Sequence, residues 1–420
     1  MKTLSLIFVS LVIVSHSHSQ TGWNIQNSNI TQNLYSVFFA NSQTGWAVGN
    51  TGIIISTVNG GDNWTVQYNA GYNYLFSVYF INTQTGWSVG YFSGLGRVLR
   101  TTNSGTTWTE LYNNSLGFVL GSVQFIDNNT GWAAGSPYLN SNGEATILKT
   151  TNGGNNWTVE YDSVGIGGNQ ISSIAFVNST TGWAIGQISS VLKTTNGGLN
   201  WFFQNNNILG IFHSGYFLNQ NFGFIVGSDI YYTTNSGNNW YQYGANYNLN
   251  SVKIVDQNFA YSVGAFGNIV KTTNSGVNWL VQTSGTTRNL RSVFFIDQNT
   301  GWAVGDSGTI LKTTNGGLTF VNKIGSGSPT SFSLSQNYPN PFNPSTKIKF
   351  DIPKSSFVQL TIYKVLGKEV TKLVNGELKP GSYSVDWSAI GGGNNYASGV
   401  YFYKLKAGDY SESKRMILLK

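Results

Sequence analysis

Short runs of alternating apolar and polar residues, separated by turn-forming residues, recur along three quarters of the chain. In one such stretch, Leu290–Ile296 alternates like a strand with one buried face, and a polar turn follows it. Trp302–Gly305 and Ile310–Thr314 predict a second and a third strand, and Thr319–Asn322 predicts a fourth. The pattern therefore predicts units of four antiparallel strands joined by short turns.

Two sequence signatures mark each unit and show that it repeats. The first, Gly-Trp-Ala-Val-Gly or a variant, begins at Gly45, Gly86, Gly131, Gly182, Gly223, Ala260 and Gly301. The second, here called the box, is represented by Thr150-Thr-Asn-Gly-Gly-Asn-Asn-Trp157. Seven pairs of signatures, with spacings of 37 to 51 residues, are typical of propeller blades. We predict an all-β fold with a seven-bladed β-propeller.

The box is predicted to form the turn between the third and fourth strands. Asn152 is expected to bond the backbone two residues on, and Gly153 and Gly154 accept the positive φ of a tight turn. The aromatic residues that end the boxes are expected to be structural staples: Trp64, Trp108, Trp157, Trp201, Trp240, Trp279 and Phe320. Burying one Trp hides about 200 Å², worth at most roughly 5 kcal/mol.

The two ends of the repeat region are predicted to meet in one blade. Thr21–Gln26 resembles a fourth strand that lacks the first three. We expect it to join the last blade beside Thr319–Asn322 and so close the ring. An open strand edge favours aggregation, which gives such a clasp a physical purpose.

The first residues read as a secretory signal. Lys2 supplies the positive charge, Leu4–Val14 the apolar run, and Ser17-His18-Ser19 a cleavage site that places the cut between Ser19 and Gln20. The apolar run is too short to span a bilayer, and no later segment is longer.

The composition changes after the repeats. Gly325–Ser331 reads as a flexible linker, and a proline-rich entry and several strands follow, which predict a small Ig-like β-sandwich. The predicted division is a signal peptide over 1–19, a propeller over 20–324, a linker over 325–332 and a C-terminal secretion and sorting domain over 333–420.

Charge and composition exclude several classes of site. The chain has 420 residues, no Cys and three His, of which only His213 lies beyond the signal. This leaves no cysteine chemistry, and one His cannot form a His metal cluster, so we expect no cofactor and no metal. The net charge of +7 arises in the C-terminal quarter, because ten basic and ten acidic residues balance between 20 and 324. The repeats therefore give no sign of nucleic-acid binding.

The box resembles the Asp-box, Ser/Thr-x-Asp-x-Gly-x-Thr-Trp, with Asn in place of Asp. The whole repeat resembles that of the photosystem II assembly and stability factors, which are seven-bladed propellers, and BNR-like repeats of this kind also occur in sialidases. This resemblance covers residues 21–323 and implies the fold, while one fold hosts many activities.

The C-terminal motifs resemble the type A sorting domain of the type IX secretion system. They are Asn337-Tyr-Pro-Asn-Pro-Phe-Asn-Pro-Ser-Thr346, Ala397-Ser-Gly-Val-Tyr-Phe-Tyr-Lys404 and Lys414-Arg-Met-Ile-Leu-Leu-Lys420. Within them the marked positions are Tyr338, Pro339, Pro341, Gly399, Tyr401, Lys414 and Lys420. The resemblance implies type IX secretion machinery as a partner and a secreted or cell-surface location. An Ig-like binding module that stays on the protein is the alternative.

Aromatic residues are concentrated in the loops of one predicted face, where strand two joins three and strand four joins one. The ligand-binding candidates are Tyr72, Tyr91, Phe92, Tyr138, Glu144 and Tyr161. Aromatic planes beside amide groups suit a sugar ring or a protein surface. We predict a monomeric, non-enzymatic, exported binding protein for a protein or glycan ligand; an ordinary polar rim is the alternative reading of this face.

Two other functions remain open from the sequence. A secreted glycoside hydrolase would use carboxylates in the loops between strands two and three, namely Glu144, Asp229 and Asp306. A sialidase needs an arginine cluster, whereas the propeller arginines fall in two pairs, Arg97/Arg100 and Arg288/Arg291. The family resemblance also suggests a periplasmic assembly factor, although the sorting tail argues against periplasmic residence. His213 is expected to be a packed or water-bonded side chain of an inner strand.

Overall fold

The computed structural model describes most of the chain after the predicted signal. The described residues are 22–71, 74–93, 95–113, 118–137, 145–163, 170–186, 188–204, 208–244, 247–317, 322–323, 329–378, 380–391 and 394–419. They are almost entirely β, with three short 3-10 turns at Asn50–Gly52, Ala265–Gly267 and Asp306–Gly308. None of their helices has the length and apolarity to cross a membrane.

The repeat region forms four-stranded antiparallel sheets, of which seven lie among the described residues. The strands are β1 (Asn24–Gln26); β2 (Leu34–Phe39), β3 (Gly45–Gly49), β4 (Ile53–Thr57), β5 (Thr65–Asn69); β6 (Tyr74–Phe80), β7 (Gly86–Phe92), β8 (Leu95–Thr101), β9 (Thr109–Asn113); β10 (Phe118–Phe125), β11 (Gly131–Pro137), β12 (Ala145–Thr150), β13 (Thr158–Ser163); β14 (Ile171–Phe176), β15 (Gly182–Gly186), β16 (Ser190–Thr194), β17 (Phe202–Phe203); β18 (Phe212–Phe217), β19 (Gly223–Gly227), β20 (Ile230–Thr233), β21 (Tyr241–Tyr243); β22 (Leu249–Ile254), β23 (Ala260–Gly264), β24 (Ile269–Thr272), β25 (Leu280–Gln282); and β26 (Leu290–Phe295), β27 (Gly301–Gly305), β28 (Ile310–Thr313).

These sheets are the blades of a propeller. We number them 1 to 7 in chain order, from β2–β5 to β26–β28. The first strands of neighbouring blades contact each other around a closed circle, so that β26 also contacts β2. The predicted all-β propeller is confirmed.

The box forms the predicted turn, but its hydrogen bonds differ from those we expected. The Thr150 hydroxyl accepts from the Gly154 amide at 2.9 Å and donates to Asn152 Oδ1 at 3.0 Å. Asn152 Oδ1 in turn accepts from the Asn156 amide at 2.9 Å, four residues on. The expected bond two residues on is wrong, because the threonine hydroxyl already takes the nearer amides. Gly153 and Gly154 do have positive φ, at 72° and 92°.

At six of the seven joints, the aromatic residue of the first signature joins each blade to the next. It lies flat on a phenylalanine at the end of the next first strand, with centroids 3.5–3.7 Å apart: Trp46 on Phe80, Trp87 on Phe125, Trp132 on Phe176, Trp183 on Phe217, Tyr261 on Phe295 and Trp302 on Phe39. The box tryptophan of a blade packs edge-on against the same ring, as Trp157 does on Phe125. The phenylalanine is therefore held from two sides. Between blades 5 and 6 the corresponding residues are Phe224 and Ile254. Phe320 lies outside the described residues.

The predicted clasp forms, although its partner strand differs from the one we expected. β1 pairs with β28 directly, with Ile25 opposite Leu311, and so takes the fourth place of blade 7. Asn322, which we assigned to that place, instead forms β29 together with Lys323 and pairs with the C-terminal unit. Of the predicted fourth strand Thr319–Asn322, only Asn322 is described, and it does not lie beside β28.

The C-terminal unit consists of two four-stranded sheets around one shared core. Its strands are β29 (Asn322–Lys323), β30 (Ser333–Leu334), β31 (Ser345–Ile352), β32 (Ser356–Lys364), β33 (Glu369–Leu378), β34 (Gly381–Ser388), β35 (Ile390–Gly391), β36 (Asn394–Asn395), β37 (Gly399–Ala407) and β38 (Tyr410–Leu418). The predicted β-sandwich is confirmed. We missed β33, whose polar sequence and two register shifts against β32 hide the alternation of a strand.

Candidate functional site: the central cavity

A β-bulge occurs near the start of every first strand. The register against the second strand shifts there by one residue in all seven blades. The bulged residues are Tyr35, Phe76, Gly121, Ser172, His213, Asn250 and Arg291. A bulge places two residues opposite one and re-aims a side chain, and bulges are frequent next to functional sites.

The residue after each bulge is a serine that bonds to the next blade. Ser36 Oγ accepts from the Val78 amide at 3.2 Å, and the same bond recurs around the whole circle. The other six acceptors are Ser77, Ser122, Ser173, Ser214, Ser251 and Ser292, and the last bonds to Val37 in blade 1. This serine ring fixes the first strands to one another directly below the bulges.

The seven bulged residues meet in one cavity of about 370 Å³ on the propeller axis. Val119, Gly135, Gln170 and Ile171 complete its lining. The volume lies within the usual range of ligand pockets, about 300–1,000 Å³. The cavity lies at the starts of the first strands, on the face that also carries the loops between second and third strands.

The lining changes character around the circle. Blades 1 and 2 contribute the aromatic rings of Tyr35 and Phe76, while blade 3 contributes Gly121, which has no side chain. A Cβ at Gly121 would meet its nearest atom only at 3.9 Å. Blades 4 to 7 contribute hydrogen-bonding side chains: Ser172, His213, Asn250 and Arg291. One half of the cavity is thus apolar and the other half polar.

Arg291 is the cationic residue of the lining, and its charge is partly balanced. Its Nε donates to Asp306 Oδ1 at 2.9 Å and its second terminal nitrogen to Oδ2 at 3.2 Å. Asn289 donates to the same carboxylate at 2.9 Å. Burial, followed by the positive charge of Arg291, lowers the pKa of His213 below its usual 6.5. His213 is therefore neutral at pH 7, and it lines the cavity from the inner strand on which we expected it.

An aromatic run leads from the cavity towards the loop face. Tyr35 and Phe76 are 5.4 Å apart between ring centroids, and Phe76 lies 6.0 Å from both Tyr74 and Tyr91. The rings of Tyr74 and Tyr91 are stacked at 5.2 Å with planes 4° apart. Tyr91, a predicted ligand residue, thus contacts the cavity residue Phe76 but is not itself part of the lining.

The other predicted ligand residues do not gather there. Phe92 lies under the Arg97 guanidinium at 5.3 Å, and Arg97 pairs with Glu110. Tyr161 packs against the hydrophobic core between blades 3 and 4. Tyr72, Tyr138 and Glu144 lie outside the described residues, as do the predicted cleavage residues Ser19 and Gln20.

The predicted carboxylates have structural partners where they are described. Both oxygens of Asp306 accept hydrogen bonds from Arg291 and Asn289, and Asp229 accepts from Gln242 at 2.9 Å. They belong to blades 7 and 5. The arginines are also dispersed, since Arg100 lies over Trp87 and Arg288 donates to the Ser307 carbonyl. In the described part of the chain, no group of three or more His, Cys, Asp or Glu could hold a metal ion.

The C-terminal motifs build the core of their own unit. Asn337 is buried and donates to the Pro339 carbonyl and to Thr346 Oγ1 at 3.0 and 2.9 Å, and Tyr401 donates to the Ala397 carbonyl. Gly399 has a φ of 151°, and Lys414 pairs with Glu412 at 3.0 Å. Tyr338 is an exposed residue of the first motif, with 81% of its surface accessible. Pro339 and Pro341 follow it in the same loop, whereas Lys420 is outside the described residues.

Two protein families match the sequence. The family described as photosynthesis system II assembly factor YCF48 matches residues 15–117 and 160–293, and the secretion system C-terminal sorting domain matches residues 336–419. No curated protein matches the chain.

Solved structures share the propeller fold. The structure of YCF48 bound to D1 peptide has a TM-score of 0.57 and 18% identity, and covers 70% of this chain and 98% of that one. YCF48 from Cyanidioschyzon merolae gives 0.56 and 18%, with 69% and 98% covered. The WD40 β-propeller domain of Doa1 gives 0.53 and 13%, with 69% and 96% covered. At these identities the likeness concerns the fold alone.

Proposed function

Because this chain belongs to the photosynthesis system II assembly factor YCF48 family and carries a secretion system C-terminal sorting domain, we propose that it is an exported binding protein whose central cavity holds a segment of a partner polypeptide. The sorting domain marks it as a type IX secreted protein of the cell surface or exterior. The signal peptide at 1–19 and the division into propeller, linker and sorting domain stay part of the proposal.

The observation that supports the site is the meeting of all seven bulged residues in one cavity. Because each blade contributes one bulged residue at the same level, the lining can vary without changing the fold. The cavity has an aromatic half at Tyr35 and Phe76 and a hydrogen-bonding half at His213, Asn250 and Arg291. A polypeptide segment can place apolar side chains against the aromatic half and backbone amides against the hydrogen-bonding half.

A protein ligand is favoured over a glycan by one comparison. The YCF48 structure that shares this fold is bound to a peptide. We therefore favour a polypeptide over a glycan as the ligand of this propeller. The aromatic run from Tyr91 to Tyr35 then supplies the contact surface for an apolar side chain of the partner. The glycan prediction becomes an outcome of the test.

The test is capture of peptides from a tiled library by the chain from Gln20 onward. Gly121→Leu fills the cavity from a position with open space and should abolish capture. Phe76→Ala should weaken it at least tenfold, as the loss of a central aromatic contact does. Phe202→Ala is the matched control, because this exposed ring lies on the outer strand β17. Equal capture by Gly121→Leu and the unaltered chain would disprove the site, and capture of oligosaccharides instead would reassign the ligand.

We also propose that the chain is not an enzyme. In the described residues Asp229 and Asp306 already accept hydrogen bonds from neighbouring side chains, and they belong to different blades. We expect no reducing sugar to be released from a polysaccharide panel. Release that disappears in Asp229→Asn or Asp306→Asn would favour the glycoside hydrolase instead.

A further inference from the structure

The seventh repeat has the same box turn as the other repeats, yet Asn322 and Lys323, which follow it, do not join their own blade. The Thr313 hydroxyl accepts from the Gly317 amide at 2.8 Å and donates to Asn315 Oδ1 at 3.0 Å, as in the other boxes. In blades 1 to 6 this turn leads into the strand that borders the third strand. In blade 7 that border is occupied by β1.

The N-terminal strand reproduces the contacts of a box strand. Trp23 packs edge-on against Phe295 at 5.6 Å, like the other box tryptophans on their own phenylalanines. Its indole donates to Gln282 Oε1 at 2.9 Å. In sequence, Trp23-Asn-Ile-Gln26 corresponds to Phe320-Val-Asn-Lys323. The edge of β28 therefore has two candidate strands in the same chain.

The displaced strand is found on the other unit. Asn322 pairs with Ser384 and Lys323 with Tyr383, on the outer edge of β34. The inner edge of β34 pairs with β31 along all eight residues, from Gly381 to Ser388. β29 thus covers only two residues of the outer edge of β34, and this edge is long enough to pair with a longer strand. The edge of a strand binds extended chains through backbone hydrogen bonds.

We propose that the outer edge of β34 is a strand-binding surface, and that its occupant is the last strand of the seventh repeat, sent there because β1 has taken its place in blade 7. Docking of the N-terminal strand and attachment of the C-terminal unit are then one coupled event. The propeller with its N-terminus docked holds the sorting unit by a strand as well as by the covalent chain. The propeller without it draws the strand back to β28. This inference does not depend on the ligand of the cavity.

Disulfide trapping tests the coupling, since the chain contains no Cys. Asn322→Cys with Ser384→Cys places two thiols at paired positions of β29 and β34. In the chain from Gln20 onward we expect nearly complete crosslinking, read by free-thiol titration. Adding Ile25→Pro removes a backbone donor from β1 and should reduce the crosslink at least fivefold. Ile25→Thr is the matched control, since this side chain is 67% exposed and the strand stays intact.

A second pair reports the other position of the same strand. Val321 follows the box aromatic in sequence as Asn24 follows Trp23, and Asn24 lies opposite Lys312. The pair Lys312→Cys with Val321→Cys should therefore crosslink in the Ile25→Pro background and not in the unaltered one. Where Ile25→Pro does not fold, Trp23→Ala weakens β1 docking and decides the same question. A crosslink to Ser384 that is absent at the outset, or that is unchanged when β1 is disrupted, would overturn the proposal.

Discussion

The indole of Trp302 lies flat on the ring of Phe39, with centroids 3.5 Å apart and planes 9° apart. Its Nε1 donates to the Gly60 carbonyl at 3.0 Å. These two residues are 263 positions apart in the sequence, and they join blade 7 to blade 1. Five other pairs of neighbouring blades make the same stacked contact, so the joint that closes the ring is built like most of the joints within it.

Replacement of Trp302 by Ala should open this joint. Loss of a buried tryptophan costs about 3–5 kcal/mol, and here it also leaves the Gly60 carbonyl without its donor. We expect a lower urea midpoint and a concentration-dependent association through the opened blade. Trp302→Phe, which keeps the stack and loses the hydrogen bond, should cost about 1–2 kcal/mol. A Trp302→Ala protein as stable as the parent would contradict this view of the ring.

The box threonine is predicted to matter more than its neighbour. Thr150 is buried, and its hydroxyl accepts hydrogen bonds from the Gly154 and Asn152 amides and donates one to Asn152 Oδ1. Thr150→Val should therefore lower the free energy of unfolding by about 1–3 kcal/mol. Thr151 is exposed in the same turn, and Thr151→Val is the matched control with an expected change within about 0.5 kcal/mol. Chemical unfolding of both variants measures the difference.

Lys271 is predicted to make stability rise with pH. Burial lowers its pKa from 10.5 to about 8, so between pH 8 and 10.5 the unfolded chain holds a proton that the folded chain has lost. The free energy of unfolding should therefore increase with pH from about 8, until tyrosine ionisation in the unfolded chain opposes it near pH 10.

Lys271→Met should remove that slope and raise stability at pH 7. The shift corresponds to a cost of about 3 kcal/mol in the charged state, while the lost contacts with Tyr261 and Phe259 are worth about 1 kcal/mol. The Gly316 carbonyl keeps its bond from Gln282 at 2.9 Å. A destabilised Lys271→Met protein at pH 7 would show that the ammonium group is needed.

His213 is predicted to make the stability of the protein fall when the pH becomes acidic. Its lowered pKa means that the folded protein resists protonation, so stability is present above the usual pKa of 6.5 and is lost as pH falls below it. Arg291, across the cavity, then faces a second positive charge. His213→Gln should flatten the decline in unfolding free energy between pH 6.5 and 5, and an unchanged decline would assign it to other groups.

The sequence predicts the repeats well because each strand and turn is determined locally. It also contains a signal for the cavity that we did not use. Each first strand contains an apolar residue followed two positions later by a serine, in Leu34-Tyr-Ser36 and Leu290-Arg-Ser292 for example, and the residue between them varies between repeats. A serine that is the same in every repeat indicates a contact shared by all the blades. A variable residue next to it indicates a position that lines the cavity. The place of β29 was not predictable in this way, since two strands of the same chain fit one edge.

The box turn has a consequence for chemical ageing. An Asn-Gly pair deamidates readily when the glycine nitrogen attacks the side-chain amide, and four boxes contain such a pair, at Asn59, Asn152, Asn196 and Asn315. In each of them the glycine nitrogen donates to a loop carbonyl at 2.7–2.8 Å: Gly60 to Gln43, Gly153 to Asn129, Gly197 to Thr180 and Gly316 to Asn299. The glycine nitrogen that would attack the asparagine side chain is thus held in a hydrogen bond. In a flexible chain these Asn-Gly pairs would deamidate, whereas the folded turn protects them in a protein that is secreted from the cell.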